Sequence, residues 1–319
     1  MVHVMLVTGA NGFVGRVLCS SLAERGFSVK GAVRSEKAQL SQGIEKAVVG
    51  DIDSKTDWSD ALRGIDCVIH LAARVHVMQE ESADPLAEFR KVNVAGTRKL
   101  AEAAVAAGVK RLVYVSSIKV NGEKTEGKPF TEADSPDPQD PYGISKREAE
   151  DALREISQRT GLEVVVVRPP LVYGPGVGGN YLRMLGLVKK GIPLPFASID
   201  NRRSMIHVGN LADALILCAI HPDAGGETFL VSDDVPVSTS DLLKSLARAM
   251  GKKPALWRCP VSILALLGKI AGKSAEIDRL SGSLEVDSSH IRKKLGWKPP
   301  HPLEDGLIET VHWFHTVSR

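Results

Sequence analysis

Four cysteines stand in 319 residues, Cys19, Cys67, Cys218 and Cys259, and no two form a CxxC pair. That scarcity excludes a disulfide scaffold or a thiolate zinc site and predicts free thiols in a reducing compartment. Cys67 falls in an apolar strand pattern and Cys218 in an apolar helix pattern, so burial is expected for both. Histidines are equally scattered: His70, His76, His207 and His221 sit at no ligand spacing, and no metal is expected. An excess of one charge is also missing. Forty-one Lys+Arg against 38 Asp+Glu leave +3, which offers no footing for nucleic acid or an acidic membrane as partner. No apolar run approaches the roughly 18 residues that would cross a bilayer. The longest, Val261 to Leu267, is followed by Lys269 and Lys273 and reads as a buried or cleft-lining helix rather than a membrane-surface one. The opening MVHVMLVTGANG has no basic n-region, long h-region or cleavage site, so no signal peptide is expected. Internal repeats and low-complexity segments are lacking too. A soluble cytoplasmic protein is the expectation.

What is present is ordinary globular material, 43% hydrophobic and 25% charged, long enough for two domains of about 150 residues each. Its first half alternates β-branched runs with helical patterns. Strands are predicted at Val2–Val7, Ser28–Val33, Ala47–Val49, Asp66–His70, Leu112–Val115 and Glu163–Val167. Helices are predicted at Phe13–Arg25, Asp57–Leu62, Pro85–Ala107 and Gly143–Thr160. Runs such as EVVVV suit strands buried on both faces, and strand–helix alternation implies right-handed crossovers. The fold class is therefore α/β, a Rossmann-type doubly wound parallel sheet. After Arg168 prolines and glycines multiply, and helical pieces follow at about Asn180–Lys190, Asn210–Ile220, Thr239–Met250 and Val261–Ala271. Glu227–Ser232 reads as a strand returning to the first sheet. Residues 1–172 with about 205–232 are expected to form the dinucleotide-binding domain. Residues 173–204 and 233–319 would form a smaller C-terminal substrate-binding domain over the sheet's carboxyl edge, where such folds bind ligands.

The 29 glycines are not evenly informative. TGANGFVG lies between the first strand and the first helix, with Gly9, Gly12 and Gly15 at G-x-x-G-x-x-G spacing. The first turns the chain, the second admits a pyrophosphate to the backbone amides at the helix N-terminus, and the third allows close helix–strand packing. Asn11, Phe13 and Val14 belong to the same cofactor loop. The second strand decides the cofactor. A carboxylate near its end receives the adenosine ribose of NAD, but here Val33 holds that place and Arg34 follows. A guanidinium there can pair with a 2′-phosphate, so NADP(H) is expected over NAD(H), although Arg34 could instead stack on adenine. Asp51-Ile52, after the third strand, could hold the adenine edge. Leu71-Ala72-Ala73, after the fourth, would let backbone pass the nicotinamide ribose.

Tyr142 and Lys146 share a helix face at i, i+4 in PYGISKREAE. An unperturbed tyrosine titrates near about 10, so a proton shuttle at neutral pH needs a neighbouring cation, which Lys146 would supply. Ser116 and Ser117 close the fifth strand, and one hydroxyl could bond the reacting oxygen.

Together TGxxGxxG, HLAA, YVSS, YxxxK and RPPLVYGP resemble the extended short-chain dehydrogenase/reductase family, in its nucleotide-sugar epimerase/dehydratase branch. The resemblance covers nearly the whole chain, down to LGWKPPHPLEDGL. In that branch the catalytic serine lies five residues before the glycine of a V-Y-G segment. Here Val120-Asn121-Gly122 selects Ser117 and puts Asn121 where tyrosine is usual. The resemblance implies that Ser117, Tyr142 and Lys146 are catalytic, with Tyr142, Lys146 and Pro169 also touching the cofactor. It implies Arg203 and Arg279 on the nucleotide diphosphate, Asn180 near the nucleotide, and Ser117 on the sugar. Leu171 stands where many relatives carry asparagine. A homodimer through Pro85–Ala107 and Gly143–Thr160 is implied as well, as a four-helix bundle.

The substrate so implied is a UDP-sugar reacting at carbon 4. A 4,6-dehydratase carries acidic residues after its serine, and Ile118-Lys119 argue against that reaction here. Val33-Arg34 resembles the NADPH-using reductases. The leading expectation is a 4-ketoreductase acting on a UDP-4-keto-6-deoxy-N-acetylhexosamine of the UDP-N-acetylquinovosamine type, for a surface polysaccharide such as lipopolysaccharide. Tyr142 would then give the proton, Ser117 hold the oxygen, and Lys146 tune Tyr142 and hold the nicotinamide ribose. The alternatives are a UDP-glucose or UDP-N-acetylglucosamine 4-epimerase with tightly bound NAD, and a non-catalytic dinucleotide sensor. The presence of Tyr142 and Lys146 argues against the sensor.

Overall fold

In a computed structural model, which describes residues 4–75 and 82–318, seven strands form one parallel sheet in the order β3-β2-β1-β4-β5-β6-β9. They are β1 (Val4–Thr8), β2 (Ser28–Val33), β3 (Glu45–Val48), β4 (Cys67–His70), β5 (Arg111–Val115), β6 (Glu163–Arg168) and β9 (Thr228–Leu230). The doubly wound parallel sheet and the late returning strand are thus found as expected. Strand order reverses between β1 and β4, where Thr8 pairs with His70. A crevice opens at such a switch point, outside the carboxyl ends of the strands.

The sheet's two faces are covered separately. One carries α1 (Phe13–Glu24) and the later α6 (Val208–Ile220), whose Leu18, Leu22, Leu211 and Leu215 pack on Met5, Val7, Ile69 and Val113. The other carries α3 (Thr97–Ala106) and α4 (Pro141–Thr160), whose Leu100, Ala104, Ala149 and Leu153 pack on Leu6, Val68 and Leu112. Alternate residues of each strand feed alternate faces, so both faces of every central strand must be apolar. All four cysteines are buried and unpaired.

The helix predicted over Pro85–Ala107 is interrupted. An α-helical turn α2 (Pro85–Phe89) passes through a π-helical stretch, Arg90–Gly96, before resuming as α3. Asp84 caps its start by accepting from Ala87 N at 3.1 Å. Asp57–Leu62, predicted helical, is instead a run of turns holding one α-type bond, Leu62 N to Trp58 O at 2.9 Å. Asp57 uses its carboxylate on Ser59 N at 3.0 Å, a local bond that competes with helix growth. Of the first predicted strand, Val2 and His3 lie outside the described residues, as does His76.

Beyond β6 a short parallel pair, β7 (Leu171–Tyr173) and β8 (Met205–His207), had no strong sequence signal. Around it sit α5 (Gly179–Lys190), α7 (Thr239–Ala249) and α11 (Leu303–Val317), sharing an apolar cluster of Tyr173, Tyr181, Leu185, Leu243, Leu246, Leu307 and Phe314. α8 (Val261–Ile270), α9 (Ser274–Ser281) and α10 (Ser289–Leu295) complete the chain. α8 departs from expectation: only Leu264 and Gly268 of it are buried.

Candidate active site

The glycine loop is built as its spacing requires. Gly9 has φ +68°, a conformation that glycine adopts without strain. A Cβ on Gly15 would lie 2.1 Å from the Gly9 carbonyl oxygen, so the first turn of α1 can approach the loop only without a side chain there. Gly12 begins α1 with no side-chain cap and no acid in the first turn, leaving amide donors for an anion. Across the switch point, Ala72 N lies 3.1 Å from where a Gly9 Cβ would be. Thr8 Oγ1 accepts from Leu71 N and Ala72 N at 3.2 and 3.1 Å, tying the two loop starts together. Thr8 also bonds His70 Nδ1 at 2.7 Å, and His70 Nε2 reaches Thr97 Oγ1 at 2.9 Å. Burial, with the Lys146 charge adding to it, pushes His70 down to about 3, so it is a neutral tie. This cradle of close-packed glycines and uncapped amides fits a dinucleotide.

Arg34, just after β2, and Asp51, after β3, meet in space. Their ion pair spans 2.9 Å and both side chains are exposed. The guanidinium expected to seek a 2′-phosphate already faces a carboxylate, which comes from the loop after β3.

The chemistry-bearing residues converge on the carboxyl edge of β5. Asp140 caps α4 by accepting from Gly143 N at 2.7 Å, which places Tyr142 in the first turn. The Ser117 hydroxyl stands beside the Tyr142 phenol and favours its ionised form. Ser116 points elsewhere, donating to Glu150 at 2.5 Å, so of the two candidate serines only Ser117 faces the tyrosine. Lys146 is buried and donates to Val115 O at 2.7 Å, with its ammonium 4.3 Å from the centre of the Tyr114 ring.

Burial, then the Asp140 charge, pushes Tyr142 up to about 12, against the pull of the neighbouring Ser117 hydroxyl. Burial likewise drives Lys146 down to about 7, against the pull of Glu150. The Lys146 ammonium is turned to the Val115 carbonyl, and burial opposes the charged form of both side chains.

Several supporting residues were not foreseen. Arg168 and Glu150 form a buried two-pronged pair at 2.5 and 2.9 Å, and Arg168 also donates to Asn121 at 2.9 Å. Asn121 is thereby turned into the protein and donates to Thr131 O at 3.0 Å. Asn93, in the π-helical stretch, donates to Ser145 Oγ and Arg74 O, each at 3.0 Å, and accepts from Arg74 N at 2.8 Å. It joins the loop after β4 to α4. A buried asparagine within a helix pattern was the available signal. Lys119 pairs with Asp140 at 2.5 Å and Glu123 at 2.8 Å.

Arg203 Nη1 donates to the carbonyls of Arg279 and Gly282 at 2.8 and 3.0 Å, so both candidate arginines are neighbours in space. Burial lowers the Arg203 pKa, against the charge of Glu123. Asn180 lies exposed in the first turn of α5, and Leu171 is exposed at the start of β7. Pro169 is buried beyond β6 and accepts from Ile118 N at 3.0 Å. Ile52 sits against Gly96 of the π-helical stretch, 2.6 Å from a Cβ placed there.

His207 is less isolated than its sequence position indicated. With His301 and Glu309 it brings three ligand-type atoms within 4.8 Å of one another, from β8, the loop before α11, and α11 itself. Burial, then the His301 charge, lowers His207 to about 4.

Residues 5–232 match the NAD dependent epimerase/dehydratase family. The chain belongs to that family. Over 315 residues it is 46% identical to a UDP-glucose 4-epimerase of Vibrio cholerae, covering 97% of this chain and 95% of the relative. It is 27% identical to an N-acetyl-alpha-D-glucosaminyl-diphospho-ditrans,octacis-undecaprenol 4-epimerase of Escherichia coli O157:H7, over 97% of this chain and 94% of that one. Among solved structures, MoeE5 in complex with UDP-glucose and NAD superposes with a TM-score of 0.79 at 27% identity, covering 99% of each chain. As a family member the chain is an NAD-dependent enzyme that acts on nucleotide sugars, and the Rossmann-type fold is shared with these neighbours.

Proposed function

We propose that this protein is an NAD-dependent 4-epimerase of a UDP-hexose or UDP-N-acetylhexosamine. The observation that carries this reading is near-full-length similarity to a UDP-glucose 4-epimerase, combined with a Ser117–Tyr142 pair at the switch-point crevice. Bound NAD would accept hydride from sugar carbon 4 and later return it. Tyr142 takes the 4-hydroxyl proton and gives it back on the opposite face, and Ser117 bonds the same oxygen. Lys146, once its ammonium faces the bound cofactor, supplies the positive charge that lowers Tyr142. Gly9, Asn11, Gly12, Phe13, Val14 and Gly15 would hold the pyrophosphate, with Asp51 toward the adenosine. Arg203 and Arg279 would meet the sugar-nucleotide diphosphate, with Asn180 near the nucleotide. Ile118 is buried and Lys119 is held between two carboxylates, so neither provides the extra acid/base group of a dehydratase.

A second reading is the 4-ketoreductase of a UDP-4-keto-6-deoxy-N-acetylhexosamine. Val33-Arg34 favours it, because an exposed ion pair holds Arg34 only weakly and a 2′-phosphate could displace Asp51. One experiment separates the two. Purified protein is incubated with UDP-glucose or UDP-N-acetylglucosamine and no added cofactor. The epimerase reading expects the galacto product, with NAD released on denaturation. No epimer, with stoichiometric NADPH oxidation on the 4-keto sugar nucleotide, overturns it in favour of the reductase. Pairing of two copies through α3 and α4 is part of the proposal, and a monomeric mass by light scattering would refute that part.

A further inference from the structure

Helix α8 wears its apolar face outward. Ile263, Leu266, Leu267 and Ile270 stand at i, i+3, i+4 and i+7 and are 47, 58, 55 and 76% exposed. Positions at that spacing ordinarily turn toward a core. Here the inward face is only Leu264, packed on Ile199 and Cys259, and Gly268, whose missing side chain lets Ile277 of α9 close in. Trp257, 52% exposed, stands just before the helix, and Val261 opens it, also exposed. Trp257 is held by its backbone, donating to Leu194 O at 3.0 Å and accepting from Ala197 N at 3.2 Å.

Along the chain, the charge that accompanies this face is of one sign, although Asp200 and Asp241 stand near Arg258 and α9 carries Glu276 and Asp278. From Gly251 to Ser274 the chain carries Lys252, Lys253, Arg258, Lys269 and Lys273 and no aspartate or glutamate, while the whole protein carries a net +3. All five cations are exposed. Lys269 and Lys273 flank the outward stripe at its C-terminal end, and Arg258 adjoins Trp257. An apolar stripe with an indole at one end and basic side chains on its flanks matches an interface that is hydrocarbon inside and negative at its rim.

We propose that α8 and the Trp257 segment dock the protein onto an anionic lipid bilayer. The helix lies in the plane of the interface, its aliphatic stripe among the acyl chains and its lysines at the phosphates. It departs from the expectation of no membrane partner, and it holds whichever reaction the enzyme performs. The docked helix would also lie close to the substrate cleft. Gly268 seats α8 on α9, and the carbonyls of Arg279 and Gly282 at the end of α9 accept from Arg203.

Vesicle co-sedimentation tests this. The full-length protein is mixed with vesicles of phosphatidylglycerol and phosphatidylcholine, or of phosphatidylcholine alone. Binding is expected to the anionic vesicles, weaker binding to the neutral ones, and release by raised salt. Leu266→Glu with Ile270→Glu should reduce the bound fraction by about tenfold or more. Lys269→Gln with Lys273→Gln should weaken anionic binding alone. Both variants replace exposed side chains, so turnover on a soluble UDP-sugar should match that of the parent. Equal sedimentation of parent and glutamate variant, or no sedimentation of either, overturns the proposal. So does a change from dimer to monomer in the glutamate variant without vesicle binding by the parent, which would make the stripe a contact between copies.

Discussion

The Lys146 ammonium donates a hydrogen bond to the carbonyl of Val115, the last residue of β5, at 2.7 Å from a buried position. That bond fixes the ammonium beside the sheet edge where Ser117 and Tyr142 converge. It also makes Lys146 a charge held at some cost, lowered by burial to about 7.

Replacing this lysine should therefore separate stability from turnover. Lys146→Met keeps the side chain's bulk and removes the buried charge. Between about pH 7 and the ordinary lysine value of about 10.5, the unfolded chain binds a proton that the folded one releases, so folding is disfavoured as pH falls through that window. The variant is expected to melt no lower than the parent at neutral pH while losing turnover by about a hundredfold or more. A clear drop in melting temperature would mean that the lysine is mainly structural.

Tyr142→Phe should leave dinucleotide binding intact and reduce turnover by about a hundredfold or more, since only the proton carrier is removed. Cofactor fluorescence titration and initial rates check this together. Unchanged turnover would remove Tyr142 from the reaction.

Asp51→Asn releases Arg34 from its carboxylate. A freed guanidinium favours a 2′-phosphate, so affinity for NADP(H) relative to NAD(H) should rise by about tenfold, the scale of one charge-assisted hydrogen bond. A ratio unmoved by the substitution would show that neither residue reads the ribose.

Glu150 is paired with Arg168 in the interior and also accepts from Ser116. Glu150→Gln leaves the guanidinium without a counter-charge and should cost about 3–5 kcal/mol of stability in a urea melt. A smaller loss would mean that Asn121, the remaining partner of Arg168, suffices.

Acid should weaken the fold before the carboxylates titrate. His70 and His207 are lowered to about 3 and about 4, so both are neutral in the folded protein well below their unfolded value of about 6.5. Below that value the unfolded chain takes up protons that the folded one refuses. Stability is full above about pH 6.5 and falls as pH drops toward about 4, by a few kcal/mol at most. Urea midpoints across that range check the sign, and His207→Gln should flatten the curve.

The sheet was legible because its strands are apolar on both faces, which leaves no ambiguity of period. Ser28–Val33 matches its predicted bounds, and the YxxxK helix begins two residues before its predicted start because Asp140 and Pro141 form its cap. The glycine loop was legible because Gly15 has a steric reason that spacing alone reveals. Contacts between distant segments left no trace in one-dimensional pattern. Glu150 with Arg168, and His207 with His301 and Glu309, are examples. α8 was only partly legible: its periodicity is that of a core helix, and nothing local says which way the stripe turns. Lys146 was assigned to Tyr142 from helical spacing, which brings two residues to one face without fixing where a four-carbon side chain ends.

The π-helical stretch Arg90–Gly96 works as a register shifter. Before it, Phe89 lies edge-on to Tyr142 with ring centres 6.0 Å apart; after it, Leu100, Ala101 and Ala104 lie against the sheet. In an unbroken α-helix each residue advances the face by about 100°. Removing a single residue from this stretch would restore regular hydrogen bonding and still rotate one half of the helix away from its partners. A shorter, locally better helix would then be a worse component, able to serve the tyrosine or the sheet but not both.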